Sequence, residues 1–158
     1  MLSLHFKEFI ELLNLHGVEY MIVGGYAVGF HGYPRYTGDL DIWIKISDRN
    51  AEKMMLAVNE FPAPKNLFSK ADFLSEKPLS GGFFGKEPYR IDILNSIEGV
   101  HFDECYPNAQ KFDFEGTQLC FIHFNDLKKN KLSTGRLKDK ADIEELERAN
   151  SKKKNDGY

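Results

Sequence analysis

The chain has 158 residues, the length of one domain that can bury a hydrophobic core without disulfides or a structural metal. Hydrophobic residues make up 42% and charged residues 28%, which is ordinary globular usage and excludes wholesale disorder. The net charge of −3 excludes a strongly basic nucleic-acid-binding chain. Residues 128–158 nevertheless carry 10 basic and 6 acidic side chains, which favours either a distinct C-terminal role or a solvated helix.

Cysteine usage and hydropathy bear on where the protein works. Cys105 and Cys120 form neither a C-x-x-C pair nor a zinc-finger spacing, so we expect reduced structural thiols in a cytoplasmic protein. No apolar run approaches the roughly 18 residues of a membrane span, so no membrane partner is expected. The N-terminal segment is amphipathic and carries Glu8 and Glu11, unlike a signal or transit peptide.

In the first part of the chain, helical periodicity alternates with two apolar strand patterns. Ser3 is a good helix N-cap and Gly17 a good helix end. The elements predicted here are a helix over 4–15, a strand over 19–23, a short helix ending near residue 29 or 32, a strand over 40–46 and a helix from 47 or 48 to about 61. Residues 61–82 contain three prolines and are expected to be irregular.

The later part of the chain predicts two hairpins followed by two helices. The first hairpin joins residues 83–84 to 89–95, and the second joins 111–114 to 118–122 through the turn at Glu115-Gly116. Helices are expected over about 125–132 and 137–150. This order predicts an α/β (α+β) fold without regular βαβ repetition, in a single domain over residues 1–150 with a flexible tail at 151–158.

The segment TGDLDIWIKI is the most informative in the chain. On a strand, Leu40, Ile42, Ile44 and Ile46 form an apolar face, and the opposite face carries Asp39, Asp41, Trp43 and Lys45. Two carboxylates two residues apart on one face repel each other unless a cation lies between them. Oxygen ligands of this kind suit Mg²⁺ or Mn²⁺. The alternative is a solvent-exposed polar face of an edge strand.

The later strand YRIDILN supplies a third carboxylate. Ile91 and Ile93 point one way, whereas Arg90 and Asp92 point the other. If this strand lies beside 40–46 with the apolar faces together, Asp92 joins the two earlier acids and outlines a two-metal site for phosphoryl transfer. The alternative is a salt bridge between Asp92 and Arg90 or a neighbouring lysine.

Gly24-Gly25 lies between a predicted strand and a short helix. Glycines let a phosphate approach backbone N–H groups, although an ordinary strand-to-helix turn has the same composition. The segment is not a P-loop, because no G-K-[ST] follows it. It is not a dinucleotide-binding fingerprint either, because G-x-G-x-x-G is absent.

A strand, Gly-Gly, a short helix, D-x-D on the next strand and a third acid on a later strand together resemble the nucleotidyltransferase superfamily that includes DNA polymerase β. The string MIVGGYAVGFHGYPRYTGDLDIWI looks more closely like the small bacterial branch related to AbiEii-type toxin nucleotidyltransferases. Members of that branch often show R-x-T-x-D-x-D, matched by Arg35, Thr37, Asp39 and Asp41. They often end with N-K-x-x-x-x-R-x-K-D-x-x-D, whose matching positions are Asn130, Lys131, Arg136, Lys138, Asp139 and Asp142.

The resemblance implies a polymerase-β-like core, a short mixed sheet flanked by helices, followed by two C-terminal helices. It implies transfer of a nucleotidyl group from a nucleoside triphosphate to a hydroxyl, with two divalent ions. Asp39 and Asp41 would ligate both metals, and Asp92 would bind the catalytic metal and favour deprotonation of the acceptor. Gly24 and Gly25 would cradle the triphosphate, although many relatives carry serine at the position of Gly25.

Five further residues are nucleotide-binding candidates. Arg35 offers a planar fork for a phosphate, with a loop arginine in solvent as the alternative. Thr37 either steadies the loop or a metal-bound water, or stabilises a turn. Lys131, Arg136 and Lys138 flank the break between the last two helices and would neutralise triphosphate charge. A solvated basic helix pair, with Lys138–Asp142 and Lys140–Glu144 ion pairs, is the alternative for these three.

The leading hypothesis is therefore an Mg²⁺-dependent nucleotidyltransferase with an RNA end or a small molecule as acceptor. A toxin of a toxin–antitoxin pair, with a small antitoxin or partner subunit, is one version of it. The second hypothesis is a nucleotide-binding module of the same fold without transfer activity. The third is a metal-dependent phosphohydrolase that uses the same acids.

Overall fold

The structure, a computed structural model, describes residues 2–63, 67–77, 83–84 and 90–155. The helices are α1 (Leu4–Leu15), α2 (Gly24–Phe30), α3 (Asp48–Glu60), α4 (Phe102–Cys105), α5 (Phe124–Thr134) and α6 (Leu137–Asn155), with 3₁₀ turns at Lys70–Leu74 and Tyr106–Asn108. The strands are β1 (Tyr20–Val23), β2 (Leu40–Ile44), β3 (Phe83–Phe84), β4 (Ile91–Leu94), β5 (Gln110–Phe114) and β6 (Thr117–Phe121). The fold is mixed α/β, as predicted.

The six strands form one mixed sheet in the order β3-β4-β2-β1-β6-β5. β1 pairs with β2 antiparallel and with β6 parallel, and β2 pairs with β4 parallel. The two predicted hairpins are confirmed as the antiparallel pairs β3–β4 and β5–β6, one at each edge of the sheet. The predicted turn at 85–88 and Tyr89 lie outside the described residues.

One face of the sheet carries the predicted apolar residues. Leu40, Ile42 and Ile44 are fully buried, and β4 continues the same face with Ile91 and Ile93. Helices α1 and α2 contact neighbouring strands, and α1 also packs on α3. The prediction for Ile46 was wrong, because β2 ends at Ile44 and Ile46 is 36% exposed.

The opposite face of the sheet is only partly open. Trp43 lies on it and is 1% exposed, with its ring centroid 5.3 Å from that of Phe102 in α4. Trp43 is therefore a packing residue, and its ring is not accessible for stacking with a nucleotide base. Neither α4 nor the turn after it was predicted, because four helical residues are too few to show a helical period.

The helix boundaries at Ser3 and Ser47 agree with the sequence, whereas the C-terminal boundary does not. Ser3 accepts a hydrogen bond from the N–H of Phe6 and caps α1, and Ser47 caps α3 in the same way. Helix α6 continues to Asn155, so residues 151–155 of the predicted flexible tail are helical, and 156–158 lie outside the described residues. None of the described helices is long and apolar enough to cross a membrane.

Candidate active site

The site is built on the neighbouring strands β2 and β4. Their parallel register places Asp41 directly opposite Asp92, between the apolar pairs Leu40–Ile91 and Ile42–Ile93. Residues opposite each other in neighbouring strands point to the same face. The two carboxyls therefore lie side by side on the face away from the aliphatic core, as the sequence predicted.

Asp41 is the carboxyl of this pair whose negative charge is destabilised by its surroundings. Burial, followed by the charge of Asp92, a hydrogen bond with Asp92 and the charge of Asp39, raises the pKa of Asp41 to about 7. The charge of Lys131 opposes these effects. Negative charge at this point of the sheet is thus only partly compensated by the residues around it.

Arg90 compensates the other two acids, Asp39 and Asp92. Its Nη2 lies 3.3 Å from Oδ2 of Asp39, and its Nε lies 3.1 Å from Oδ1 of Asp92. The salt bridge to Asp92 that the sequence offered as an alternative is therefore present. Arg90 was not proposed as a site residue, although its position two residues before Asp92 on the same strand face was the available signal.

The donor set fits a hard divalent cation. Asp39, Asp41 and Asp92 present only carboxylate oxygens, which Mg²⁺ and Mn²⁺ prefer, and the raised pKa of Asp41 marks negative charge that a cation would stabilise. Within the described ranges, no three His, Cys, Asp or Glu side chains already form a metal-binding group. A cation here would take over from Arg90 the compensation of Asp39 and Asp92.

Gly24 is in contact with the Asp41 carboxyl. Its φ is +66°, and a Cβ built on it would lie 2.1 Å from Oδ2 of Asp41. Both the backbone conformation and the space therefore require glycine at this position. The first glycine of the turn brings its main chain against the acid that the resemblance assigns to both metals.

Gly25 is packed against Thr37. A Cβ on Gly25 would lie 2.6 Å from Oγ1 and 2.8 Å from Cβ of Thr37, while Oγ1 of Thr37 donates a hydrogen bond to the carbonyl oxygen of Asp39. Thr37 thus joins the glycine turn to the acidic segment. It also occupies the space that a side chain at residue 25 would need, which accounts for glycine at this position.

Arg35 is held by the last helix. Its Nε and Nη2 donate to Oδ1 and Oδ2 of Asp142 at 3.0 and 3.1 Å, a bidentate pair. Lys131 donates to Oδ2 of Asp142 at 3.1 Å and to Oδ1 of Asp139 at 2.8 Å. Arg136 completes this ion-pair cluster through its Nε, which lies 2.7 Å from Oδ2 of Asp139.

The ion-pair cluster contradicts the alternative interpretation of these residues as a solvated basic helix pair. Lys131 is 5% exposed, and Asp139 and Asp142 are 1% and 3% exposed. Burial alone would raise the pKa of Asp139, but hydrogen bonds from Lys131, Thr134 and Arg136 lower it to about 2. Lys138 is exposed, and Asp142 pairs with Arg35 and Lys131 in place of the predicted Lys138–Asp142 contact.

Helix α5 brings Lys131 within electrostatic range of Asp41 because α5 packs on the loop that follows β4. A Cβ on Gly99, whose φ is +81°, would lie 1.9 Å from Oγ of Ser133. Asn130 donates to the carbonyl oxygen of Glu98 at 2.9 Å from the same helix. The structure therefore groups seven of the predicted site residues at one place: Asp39, Asp41, Asp92, Gly24, Gly25, Thr37 and Lys131. Arg35 is connected to this group through Asp142, and Arg136 is connected to it through Asp139. Lys138 lies apart from the group.

A separate apolar cavity of about 740 Å³ lies on the other side of the glycine turn. Gly25, Thr37 and Arg35 line its end near the site, and Phe112 and Phe114 of β5 line it at the sheet edge.

Comparison with known proteins assigns no family to the chain. No protein-family model matches it, and no curated protein matches it closely enough to assign it to a family.

Proposed function

We propose that the chain is an Mg²⁺-dependent nucleotidyltransferase with a polymerase-β-like core, which moves a nucleoside monophosphate from a nucleoside triphosphate to an acceptor hydroxyl. The observation that supports this most is the register of Asp41 opposite Asp92, with Gly24 in contact with Asp41. Paired carboxylates beside a glycine turn are what such a transfer requires from a protein.

In this proposal Asp39, Asp41 and Asp92 hold two Mg²⁺ ions. Bound there, the ions would neutralise charge on the attacking oxygen, the α-phosphoryl group and the leaving pyrophosphate. Asp92 accepts the proton of the acceptor hydroxyl, the acceptor oxygen forms a bond to the α-phosphorus, and the bond between the α-phosphorus and the oxygen that bridges it to the β-phosphorus breaks. Pyrophosphate leaves with the electron pair of that bond, so charge and atoms balance.

The remaining candidates bind the triphosphate. Gly24 and Gly25 begin α2 against the side chains of Asp41 and Thr37, and in this proposal the triphosphate binds next to this turn. Lys131 contributes positive charge near Asp41, and Asp142 fixes both Lys131 and Arg35 in place. Arg136 is paired to Asp139 but is itself 69% exposed at its side chain, so it remains accessible to a ligand. Lys138 has the weakest case, since it is exposed and apart from the cluster.

The test is transfer of label from α-labelled nucleoside triphosphates, with Mg²⁺ and total cellular RNA as acceptor. We expect labelled RNA with the wild-type chain and no label with Asp92→Asn. Asp103→Asn is the matched control, because Asp103 is an exposed carboxylate on neighbouring helix α4, and it should transfer normally. Absence of transfer to any acceptor, together with no Mg²⁺-dependent nucleotide binding, contradicts the proposal.

The acceptor class is tested by the same assay. We favour an RNA end, because residues 128–158 carry 10 basic against 6 acidic side chains, and the exposed basic groups among them would contact acceptor phosphates. Such an activity fits a toxin that is held in check by a small antitoxin. Labelling of hydroxyl-bearing small molecules in place of RNA would instead assign a small-molecule acceptor, and growth arrest on expression should be lost in Asp92→Asn if the chain is a toxin.

Arg90 favours a second candidate function, a nucleotide-binding module without transfer. Its guanidinium already pairs with Asp39 and Asp92, so the acids have a resident cation that catalysis would have to displace. Nucleotide binding that is unaffected by Mg²⁺ and produces neither labelled acceptor nor free phosphate would support this function. Release of free phosphate without a labelled acceptor would support a phosphohydrolase.

A further inference from the structure

Strand β5 forms one edge of the sheet, since the strand order ends with β6-β5. Its residues are solvent-exposed from Gln110 to Asp113, and Phe112 has 47% of its surface exposed although it is a large apolar residue. An edge strand presents unpaired backbone groups that can pair with another strand. A strand of this kind with an exposed phenylalanine at its centre is suited to binding a further strand.

The hairpin determines which backbone groups of β5 face outward. Glu115 and Gly116 both have positive φ, at 48° and 86°, which is the two-residue turn that joins Phe114 to Thr117. Such a turn places the N–H and C=O groups of Phe114 toward β6, and the direction alternates along an antiparallel strand. Phe112 and Gln110 therefore also face β6, while Lys111 and Asp113 direct their backbone groups away from the sheet.

The outward groups of β5 are complementary to those of a second β5 in antiparallel orientation. With Phe112 opposite Phe112 of the other copy, each Lys111 stands opposite an Asp113, and each such pair exchanges both of its backbone hydrogen bonds. The same pairs join a lysine ammonium to an aspartate carboxylate on one face of the sheet. Both the hydrogen bonding and the charges match in this single register.

We propose that the protein forms a two-fold symmetric dimer through antiparallel pairing of β5 with β5, which joins the two sheets into one. The two-fold axis passes between the two Phe112 residues, which form the closely spaced pair of the ladder with Cα atoms about 4.5 Å apart. The interface is isologous, because the same short strand is used by both copies.

The apolar side of β5 adds to this interface. Phe112 lies on the same face of β5 as Phe114, its ring centroid is 5.7 Å from that of Phe30, and both β5 phenylalanines line the 740 Å³ cavity. A second copy would place its own Phe112 beside the opening of that cavity. The pairing therefore removes from water the largest exposed apolar side chain of the edge strand.

Other registers that keep the outward groups together are less favourable. A shift that centres the two-fold axis on Lys111 places two lysines opposite each other, and one that centres it on Asp113 places two aspartates opposite each other. Like charges directly across a strand pair destabilise it. The alternation of charge about Phe112 thus selects one register and one partner, a second copy of this chain.

Charge exchange at exposed positions tests the dimer without disturbing the fold. Lys111→Asp and Asp113→Lys each turn both cross-strand pairs from attractive to repulsive, so each should weaken self-association by about thirtyfold. The doubly exchanged variant K111D/D113K restores opposite charges and should dimerise like the wild type. An equimolar mixture of the two single variants should form heterodimers, because each then faces only opposite charges.

Analytical ultracentrifugation over rising protein concentration gives the readout, and a native mass spectrum identifies the heterodimer. A wild-type chain that stays monomeric up to millimolar concentration overturns the proposal and leaves the edge for a partner of another kind. Single variants that dimerise as well as the wild type also overturn it. Lys111 and Asp113 lie far from the acids of β2 and β4 in the strand order, so nucleotidyl transfer and dimerisation fail or succeed independently.

Discussion

At the scale of single residues, Asp41 makes stability depend on pH. Burial, followed by the charges of Asp92 and Asp39, raises the pKa of Asp41 from 3.8 to about 7 in the folded chain. The folded state therefore binds the proton more tightly than the unfolded state. The free energy of unfolding should fall as pH rises from about 4 to about 7, at up to about 1.4 kcal/mol per unit, and stay low above that range.

Asp41→Asn should remove this pH dependence. We expect the variant to melt at a higher temperature than the wild type at pH 8, and the difference to vanish near pH 4, where the wild-type carboxyl is already neutral. Mg²⁺ should raise the wild-type melting temperature at pH 8 and leave that of the variant nearly unchanged. Asp103→Asn serves as the control, and a difference between Asp41→Asn and wild type that is constant with pH argues against a buried charge at residue 41.

Gly24 allows a matched comparison of backbone strain with steric contact. Gly24→Ala and Gly135→Ala place a Cβ at φ values of +66° and +69°, but only the first Cβ meets an atom within 4 Å. Both should lose about 1–2 kcal/mol to left-handed strain. Gly24→Ala should lose about 1–3 kcal/mol more, because the Asp41 carboxyl must move, and urea denaturation measures the difference. Equal losses would show that Asp41 moves aside freely.

At the scale of elements, α5 and α6 are joined by buried charge. Lys131→Met would leave Asp139 and Asp142 buried with one fewer cation, and such losses cost about 3–5 kcal/mol. Lys138→Met, on the same helix pair but exposed, should change stability by less than about 0.5 kcal/mol. Chemical denaturation at neutral pH separates the two variants, and a small effect of Lys131→Met would mean that Arg35 and Arg136 suffice.

The stability that this ion-pair cluster provides is lost at low pH. The pKa of Asp139 is lowered to about 2 in the folded chain, so its contribution to stability is complete above about pH 4 and is lost as pH falls toward 2. Lys131→Met removes one of the donors that lower this pKa. The acid unfolding midpoint of the variant should therefore move to higher pH than that of the wild type, as followed by circular dichroism.

Local sequence pattern predicted the elements and the acids better than it predicted the charge pairs. Alternation along 40–44 and 91–94 was enough to align Asp41 with Asp92, because the aliphatic faces of both strands must be buried together. Arg35 and Asp142 are separated by 107 positions, and their pairing depends on how α6 packs, which no local period records. The solvated alternative for Lys131 was wrong for the same reason, since burial of its helix face depends on α6.

At the scale of the whole molecule, the order of the strands in the sheet could not be predicted from local sequence patterns. The two hairpins were predictable from turn residues and alternation, but nothing local places β6 parallel to β1 or leaves β5 at an edge. Those positions follow from which helices cover which face, a property of the complete core. In contrast, the placement of Asp41 beside Asp92 followed from one condition that the sequence analysis had stated, namely that β4 lies beside β2 with the apolar faces together.

Removing α6 should affect the whole molecule. A chain that ends at Gly135 lacks the partners of Arg35 and Lys131 and lacks Leu146, which is fully buried. We expect it to lose cooperative thermal unfolding, whereas a chain that ends at Asn150 keeps all three contacts and should melt within a few degrees of the full chain. Calorimetry compares the two, and cooperative unfolding of the shorter chain would show that α6 is dispensable for folding.

The ion pair between Arg35 and Asp142 also determines when, during synthesis, the candidate site is complete. Strands β1 and β2 and their acids leave the ribosome long before residue 142, since synthesis proceeds at about 5–20 residues per second. Arg35 and Lys131 acquire their shared carboxylate only when α6 emerges. A nascent chain therefore carries its acids before Arg35 and Lys131 have their shared partner, and we expect the proposed activity to require translation of α6.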